Sequence, residues 1–323
     1  MAPGSGCNRS AGISHSGCVF GRMRTQAPIS DFGRFEEAEM TDGSTLAPET
    51  TFSIDFNLHM VPAALGLDVP PPAAAAMFGI GEAQLAAYVA TVDATVKQIA
   101  ANLLARPDIA EAVDRLAVPA GGTVMVIGDS ITTYRYGYAP LLQALLALRR
   151  PNDTIRFFNG GQSGYTSTHA LEVIYTQFLA QQPDWLFIMF GVNDCKHFGG
   201  PQTKTLVSLE EYRRNMAAIV DAFLTHTAAH LVLLTPTPVV ESVVNSNPDF
   251  AAMRMTWDNT DIQARAEVIR DLAGRHGLPL VDLVGAFGLD PDPALFLPDG
   301  LHPGPAGHKM MLEWALRVLP ALQ

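Results

Sequence analysis

Residues 123–132 read Thr-Val-Met-Val-Ile-Gly-Asp-Ser-Ile-Thr, a short apolar run followed by a glycine and a polar turn. Three of the four residues from Val124 to Ile127 are β-branched. A run of this length, bounded by glycines, is typical of a strand buried on both faces. Because helical periodicity begins near Tyr138, Ser130 is predicted in the turn between a strand and a helix, where open α/β sheets bind ligands. A serine in such a turn can also be a simple helix cap.

The alternation of short apolar runs and helical segments continues to the C-terminus. We predict strands at 123–127, 154–158, 185–190, 230–235 and 279–283, and helices at 138–149, 168–181, 208–226, 259–276 and 305–319. Strands that alternate with helices form a parallel sheet covered by helices on both faces. We therefore expect an α/β domain over residues 119–323.

The chain before this domain is predicted as two segments. Residues 1–40, which mix Gly, Ser, Arg and Cys, are expected to be a disordered tail. Residues 41–118 are expected to form an N-terminal extension. Apolar and polar residues alternate over 52–58, which predicts a short strand, and the prolines and alanines of 69–76 indicate a linker or capping turn.

A long amphipathic helix is predicted from Glu82, with a break at Pro107. Its apolar stripe consists of Leu85, Val89, Val92, Val96, Ile99 and Leu103. Such a stripe buries one face of a helix against another surface. We favour packing on the main domain; the alternatives are a lid over the site or contact with a second copy in a homo-oligomer.

Composition excludes several classes of function. The chain has 323 residues and a net charge of −11, and it has no basic cluster, which argues against a nucleic-acid partner. Three cysteines do not make a disulfide framework. No apolar run reaches the ~18 residues of a membrane-spanning helix. Residues 1–30 do not resemble a secretion signal, so a cytoplasmic location is expected, with Met23 or Met40 as alternative starts.

Polar and glycine residues follow the predicted strands where chemistry is expected. Ser130 follows the first strand, Gly164 the second, Asn193 the third, and Asp299 and His302 lie on a late loop. The carboxyl ends of parallel strands meet at one edge, so these residues should converge. Acyl transfer needs a nucleophile, a base, a group that orients the base, and oxyanion donors. A serine, a histidine, an aspartate, a glycine N–H and an asparagine amide can fill these roles.

The sequence resembles the SGNH hydrolase superfamily, also called GDSL-like lipases and esterases. The resemblance spans about 121–320 and rests on four blocks in the family's order: Gly128-Asp129-Ser130-Ile131-Thr132, Asn159 to Thr166, Gly191-Val192-Asn193-Asp194 and Asp299-Gly300-Leu301-His302-Pro303. It implies a three-layer α/β/α sandwich with a flavodoxin-like five-stranded sheet. It also implies a triad of Ser130, Asp299 and His302. The implied oxyanion hole contains the N–H groups of Ser130 and Gly164 and the amide of Asn193.

Other side chains near these blocks need an interpretation. The bulky Tyr134 and Arg135 follow the nucleophile; they could narrow the acyl pocket or bind a substrate carboxylate, or form a surface turn. We expect His308 to be a surface or packing residue and Cys195 a small apolar filler. His197 lies close enough to line the site but has no acid at matching spacing.

The predicted function is a serine esterase that hydrolyses small or medium carboxylic esters, O-acetyl groups among them, through an acyl-enzyme on Ser130. The alternatives are an acyltransferase that uses the same acyl-enzyme and a non-catalytic flavodoxin-like binding domain. We expect no cofactor and no metal, because neither a His/Cys/Asp cluster with ligand spacing nor a phosphate-binding glycine loop is present in the sequence. The expected partner is a small-molecule ester.

Overall fold

The computed structural model describes residues 46–58 and 69–319. Its centre is a five-stranded parallel sheet with helices on both faces. The strands of the described chain are β1 (Thr123–Gly128), β2 (Arg156–Gly161), β3 (Trp185–Met189), β4 (His197–Phe198), β5 (His230–Leu234), β6 (Met255–Thr256) and β7 (Leu280–Val281). The sheet order is β2-β1-β3-β5-β7, so the predicted fold class is confirmed. The tail predicted over 1–40 lies outside the described residues.

Strand β1 lies inside the sheet between β2 and β3, and all six of its residues are buried. Val126 is in register with Asn159 of β2 and with Phe187 of β3. Successive side chains of a strand point to opposite faces. Val124 and Val126 accordingly join one hydrophobic cluster, while Met125 and Ile127 join the other. Two covered faces explain why the run is apolar throughout instead of alternating.

The helices in chain order are α1 (Pro48–Asn57), α2 (Pro71–Met77), α3 (Glu82–Leu104), α4 (Pro107–Arg115), α5 (Ser130–Thr133), α6 (Tyr138–Arg149), α7 (Ser167–Val173), α8 (Leu209–His226), α9 (Glu241–Val244), α10 (Pro248–Ala252), α11 (Asn259–His276), α12 (Leu283–Phe287) and α13 (Pro305–Arg317). The helix predicted over 168–181 is divided into α7, a π-helical turn and a 3₁₀ turn. Strands β4 and β6 form a separate antiparallel pair that the sequence did not predict.

The strand predicted over 52–58 is wrong, because this segment is helix α1. Positions that alternate with a period of two also contain pairs four residues apart, and such pairs share one face of a helix. Phe52 and Phe56 form one such pair. Pro48 favours a helix start because its fixed φ suits the first turn. Without a neighbouring strand to pair with, the helix satisfies its own backbone groups.

The linker or capping turn predicted over 69–76 is also wrong, because Pro71–Met77 is helix α2. Pro71 and Pro72 occupy its first turn, where a missing N–H costs little, and four alanines follow. Alanine has the highest helix propensity of all residues. The prolines therefore begin a helix here instead of breaking one.

The apolar stripe of α3 packs on two surfaces. Leu85, near its start, joins Ile54 and Ala75 in a small cluster between α1, α2 and α3. The stripe from Val92 to Leu103 is buried in the main core, where α3 packs against α6. Pro107 begins α4 after a short break. The favoured packing on the main domain is thus the one observed, and contact with a second copy stays a prediction.

Within 46–58 and 69–319, no individual helix combines the length and apolar character needed to cross a membrane. Helices α2 and α3 meet that test only when taken together, and they are bent by 88°.

Candidate active site

Ser130 lies where the sequence predicted, one residue beyond Asp129 at the carboxyl end of β1. Asp129 caps the short helix α5, and its Oδ1 accepts the N–H of Ile131 at 3.0 Å. A buried aspartate in the N-cap position fixes the direction of the first helical turn. This turn places the Ser130 side chain, which is partly exposed, on the edge of the sheet.

Ser130, His302 and Asp299 form a chain of hydrogen bonds. The Ser130 Oγ is 2.8 Å from His302 Nε2, and His302 Nδ1 is 2.6 Å from Asp299 Oδ2. An ionised carboxylate only accepts, so Nδ1 carries the imidazole proton and Nε2 accepts the hydroxyl of Ser130. This is the tautomer in which a histidine can remove a proton from a serine.

The Asp299 carboxylate is held in its charged form. Burial acts to raise its pKa, but the hydrogen bond and charge of His302 and the N–H groups of Leu301 and His302 bring the pKa below its usual value. The two backbone donors lie 2.9 and 3.0 Å from Asp299 Oδ1. Gly300, with φ of +70°, makes the tight turn possible, since a Cβ there would lie 2.7 Å from Cβ of Val243.

Three N–H donors belong to residues that line the cavity at Ser130. They are the backbone N–H groups of Ser130 and Gly164 and the amide Nδ2 of Asn193, and none donates to another atom of the described chain. Lys196 Nζ donates to Asn193 Oδ1 at 3.3 Å, which leaves Nδ2 as the unused end of the amide. Gly164 has φ of +80°, a conformation that side chains disfavour. Donors of this kind can bind a developing oxyanion.

The cavity above Ser130 has a volume of 170 Å³. Its walls come from α1, from all four sequence blocks and Lys196 after the third, and from residues 250–257, which include β6. The lining residues are Phe52, Phe56, Asn57, Ser130, Ser163, Gly164, Asn193, Lys196, Phe250, Met255, Trp257, Leu301 and His302. The lining thus combines aromatic and aliphatic side chains with polar groups.

Comparison with known proteins agrees with this geometry. The model of the GDSL-like Lipase/Acylhydrolase family matches residues 126–310, more than half of the chain. The chain belongs to this family. The GDSL hydrolase is 26% identical to an acetylxylan esterase of Geobacillus stearothermophilus over 62% of its own length and 95% of the relative's. It is 27% identical to the rice GDSL esterase/lipase WDL1 over 62% of its length and 79% of that protein.

A solved structure extends the similarity to three dimensions. The crystal structure of Axe2, an acetylxylan esterase from Geobacillus stearothermophilus, is matched with a TM-score of 0.50 and 25% identity. The match covers 63% of the GDSL hydrolase and 96% of Axe2. The family and its esterase members identify the chain as a carboxylic ester hydrolase of the SGNH type.

Tyr134 and Arg135 of the GDSL hydrolase do not line the cavity. Tyr134 is buried and stacks on Phe56, with ring centroids 4.8 Å apart. The Arg135 guanidinium pairs with Asp93 of α3 at 2.8 Å, and its backbone N–H donates to the carbonyl of Asp55 at 3.1 Å. Both residues therefore join the N-terminal extension to the main domain. No signal in the sequence pointed to a partner as distant as Asp93.

His308 and Cys195 have the packing roles that were predicted. His308 is fully buried, accepts the N–H of Tyr138 at 3.1 Å, and is kept neutral because burial lowers its pKa to about 3. Cys195 is buried, its thiol donates to the carbonyl of Val192 at 3.3 Å, and burial raises its pKa far above the usual range. Neither side chain lines the cavity.

His197 differs from its prediction. It does not line the cavity, and it does have an acidic partner, since its Nε2 is 2.9 Å from Oδ2 of Asp261. Its Nδ1 lies 2.6 Å from the carbonyl of Thr203. The partner is 64 residues further along the chain, so local spacing could not reveal it. This pair ties β4 to α11.

The sequence missed most of the apolar residues that line the cavity. Phe52, Phe56 and Asn57 were assigned to a strand. The four-residue spacing of Phe52 and Phe56 was the available signal for a helix. Lys196 follows the third block but carries no motif of its own. Phe250 lies on α10, and Met255 and Trp257 lie in or beside β6, which is too short to leave a periodic pattern.

Asp55, on the buried side of α1, should make folding stability depend on pH. Its Oδ1 accepts the hydroxyl of Tyr88 at 2.9 Å. Burial raises the pKa of Asp55 to about 7, while the Tyr88 hydrogen bond and the Arg135 charge act to lower it. The folded protein thus keeps a proton that the unfolded chain, with the ordinary pKa of 3.8, releases.

Between about pH 4 and pH 7 the folded state binds more protons at Asp55 than the unfolded state does, so this group's contribution to the free energy of unfolding falls as pH rises. The asparagine of Asp55→Asn is neutral at every pH, so the variant does not lose stability at this position as pH rises. We expect the melting temperature of Asp55→Asn minus that of the wild type to increase from pH 5 to pH 8. A difference that stays constant over this range would contradict the assignment.

Proposed function

We propose that this GDSL hydrolase cleaves short-chain esters, acetyl esters in particular, through an acyl-enzyme on Ser130. The observation that carries the proposal is the 2.8 Å hydrogen bond from Ser130 Oγ to His302 Nε2, with Asp299 on the other ring nitrogen. This arrangement supplies the nucleophile, the general base and the group that orients the base.

The first half of the reaction forms the acyl-enzyme. The Ser130 Oγ attacks the ester carbonyl carbon while His302 Nε2 takes the hydroxyl proton. The carbonyl oxygen becomes an oxyanion, which the N–H groups of Ser130 and Gly164 and the Asn193 amide stabilise. His302 then donates its proton to the alcohol oxygen as the carbon–oxygen bond breaks, and the alcohol leaves. Asp299 stabilises the imidazolium that exists between these steps.

The second half repeats this chemistry with water. His302 takes a proton from the water molecule, the hydroxide attacks the acyl carbon, and the same donors stabilise the second oxyanion. The bond to Ser130 Oγ breaks, Oγ recovers a proton from His302, and the carboxylic acid leaves. An alcohol in place of water would give acyl transfer.

Two observations support a short acyl group. The cavity of 170 Å³ is below the ~300–1,000 Å³ of pockets that hold drug-sized ligands. The sequence comparison and the structural comparison both match an acetylxylan esterase of Geobacillus stearothermophilus.

A chain-length series tests the proposal. We expect kcat/KM for p-nitrophenyl esters to be highest with acetate, lower with butyrate and lowest with octanoate. Product analysis of p-nitrophenyl acetate turnover with added 1-propanol separates hydrolysis from acyl transfer. We expect the amount of acetate formed to exceed that of propyl acetate. A preference for octanoate would overturn the short-chain assignment, and propyl acetate as the main product would favour an acyltransferase.

Asn193→Ala tests the oxyanion role directly. Loss of one oxyanion donor is expected to lower kcat by about 10²–10³-fold with little change in KM, because the amide acts on the transition state more than on the bound ester. Asn102→Ala, at an exposed position on α3, is the matched control. A variant in which only KM changes would show that Asn193 binds the ground state instead.

A further inference from the structure

Helix α1 lies outside residues 126–310, the part of the chain that the family model matches, yet it forms one wall of the cavity. Phe52, Phe56 and Asn57 all line the cavity. The ring centroid of Phe56 is 4.5 Å from that of His302, and the centroid of Phe52 is 5.9 Å from it. Two aromatic side chains from the N-terminal extension therefore pack against the proposed catalytic base.

The main domain fixes α1 in this position through the last turn of the helix. Carbonyl groups in a last helical turn have no partners within the helix. Here Arg135 N–H donates to the Asp55 carbonyl at 3.1 Å, and the Phe56 carbonyl accepts from Ser163 Oγ at 2.8 Å and from Thr133 Oγ1 at 3.4 Å.

These donors belong to the two segments that carry the proposed chemistry. Thr133 is the last residue of α5, which begins at Ser130. Ser163 precedes Gly164 in the second block. The position of α1 is thus set by the same segments that position the nucleophile and an oxyanion donor, so the wall has a defined place relative to the reacting atoms.

The chemistry of the proton transfer indicates which part of the substrate this wall meets. In the proposed mechanism His302 Nε2 delivers a proton to the oxygen of the leaving alcohol, so that alcohol must lie beside the imidazole. The rings that pack on the imidazole are those of Phe52 and Phe56. These two rings therefore line the cavity on the side of the imidazole, where the alcohol departs.

The two rings differ in exposure. Phe56 is 2% exposed, because its ring stacks on Tyr134 and lies tilted against His302, whereas Phe52 is 43% exposed. An exposed ring at a cavity wall offers apolar surface to a ligand, and aromatic groups contribute about 0.5–1.5 kcal/mol per well-placed ring pair. Beside them Asn57 Nδ2 donates to the Ser53 carbonyl at 3.0 Å, which leaves its Oδ1 to accept a hydroxyl.

We propose that Phe52, Phe56 and Asn57 form the subsite for the leaving alcohol, and that this subsite selects alcohols built on a ring with an apolar face. Both an aryl alcohol and a sugar ring present that chemistry. The inference rests on the proposed function, since it requires that His302 protonates the leaving group. It assigns to the N-terminal extension a role in choosing the alcohol and none in choosing the acyl group.

The test varies the alcohol at constant acyl group and then the acyl group at constant alcohol. The first series is methyl acetate, phenyl acetate and a peracetylated pyranose; the second is p-nitrophenyl acetate and p-nitrophenyl butyrate. The parameter is kcat/KM, which covers the steps up to acylation and release of the alcohol and does not depend on deacylation. The variants are Phe52→Ala, Phe52→Trp and Phe56→Leu, and the control is Tyr175→Ala, an aromatic residue that is 67% exposed and does not line the cavity.

For Phe52→Ala we expect kcat/KM for the two esters of ring alcohols to fall about three- to tenfold relative to kcat/KM for methyl acetate. This is the range that one aromatic contact provides. The ratio of kcat/KM for p-nitrophenyl butyrate to kcat/KM for p-nitrophenyl acetate should stay as in the wild type. Phe52→Trp should restore the preference for esters of ring alcohols. Phe56→Leu should reduce the ring preference in the same direction, and Tyr175→Ala should change neither ratio. A loss confined to phenyl acetate identifies an aryl alcohol as the preferred substrate, and a loss confined to the pyranose identifies a sugar.

Two results would overturn the inference alone, and a third result would refute the proposed function on which it rests. A Phe52→Ala variant with an altered butyrate-to-acetate ratio and an unchanged ring preference would place α1 on the acyl side. Equal losses for every ester in both Phe variants would show that the rings only hold His302 in place. A wild-type protein that hydrolyses none of the esters would instead refute the proposed function, and the inference with it.

Discussion

Ser130→Ala is expected to lower kcat for p-nitrophenyl acetate by about 10⁶-fold, the scale of the loss when a serine hydrolase loses its nucleophile. The reason is that no acyl-enzyme can form, while His302 alone has no serine to activate. Residual turnover would come from the oxyanion donors and from substrate binding.

Folding of Ser130→Ala should be preserved. Ser130 is partly exposed, and its hydroxyl makes one hydrogen bond, to His302, whose net contribution to stability is about 0.5–1.5 kcal/mol. The melting temperature, measured beside the rate, should therefore change by a few degrees at most. Ser242→Ala, at an exposed serine on α9, is the matched control and should keep full activity. A purified Ser130→Ala protein with a rate near that of the wild type would refute the assignment of the nucleophile.

Asp299→Asn is expected to reduce kcat by about 10⁴-fold. An asparagine side chain can donate as well as accept, so the Nδ1–H tautomer of His302 is no longer enforced, and Nε2 loses its role as acceptor for Ser130. The imidazolium formed during the reaction also loses its counter-charge. Since hydrogen bonds and the His302 charge hold the pKa of Asp299 below its usual value, the wild-type carboxylate is already ionised at neutral pH.

The Asp299→Asn defect should persist at alkaline pH, because no deprotonation restores a carboxylate in the variant. Rates are compared from pH 6 to pH 9, with Asp290→Asn as control at an exposed aspartate of the preceding segment. Recovery of the wild-type rate at pH 9 would mean that Asp299 acts only by changing the pH at which His302 loses its proton. That result would conflict with the orienting role.

The positions of the site residues were predictable because the sheet topology brings them together. A run of four buried residues from Val124 to Ile127, a glycine and a serine place a nucleophile at a strand end. In a parallel sheet the loops after β1, β2 and β3 lie at the same edge, so Ser130, Gly164 and Asn193 could be brought together without any knowledge of side-chain contacts.

The rest of the cavity depends on interactions that local patterns do not record. Over 52–58 the alternation of apolar residues suits a strand as well as a helix, and the deciding factors are distant: the cluster with Ala75 and Leu85, and the carbonyl contacts of the last turn. The Arg135–Asp93 ion pair joins residues 42 positions apart. Trp257, which lines the cavity, directly follows β6, a strand of only two residues that pairs with β4.

The central claim, that Ser130 is an activated nucleophile, is tested most directly by covalent labelling with a fluorophosphonate. The reagent reacts with a serine only where a base removes the hydroxyl proton, so it reports the Ser130–His302 pair and not mere exposure. Intact mass and peptide mapping of the full-length wild type should show one adduct, on Ser130, and Ser130→Ala should show none. A wild-type protein that hydrolyses p-nitrophenyl acetate but carries its adduct on another residue, or carries no adduct, would contradict the account.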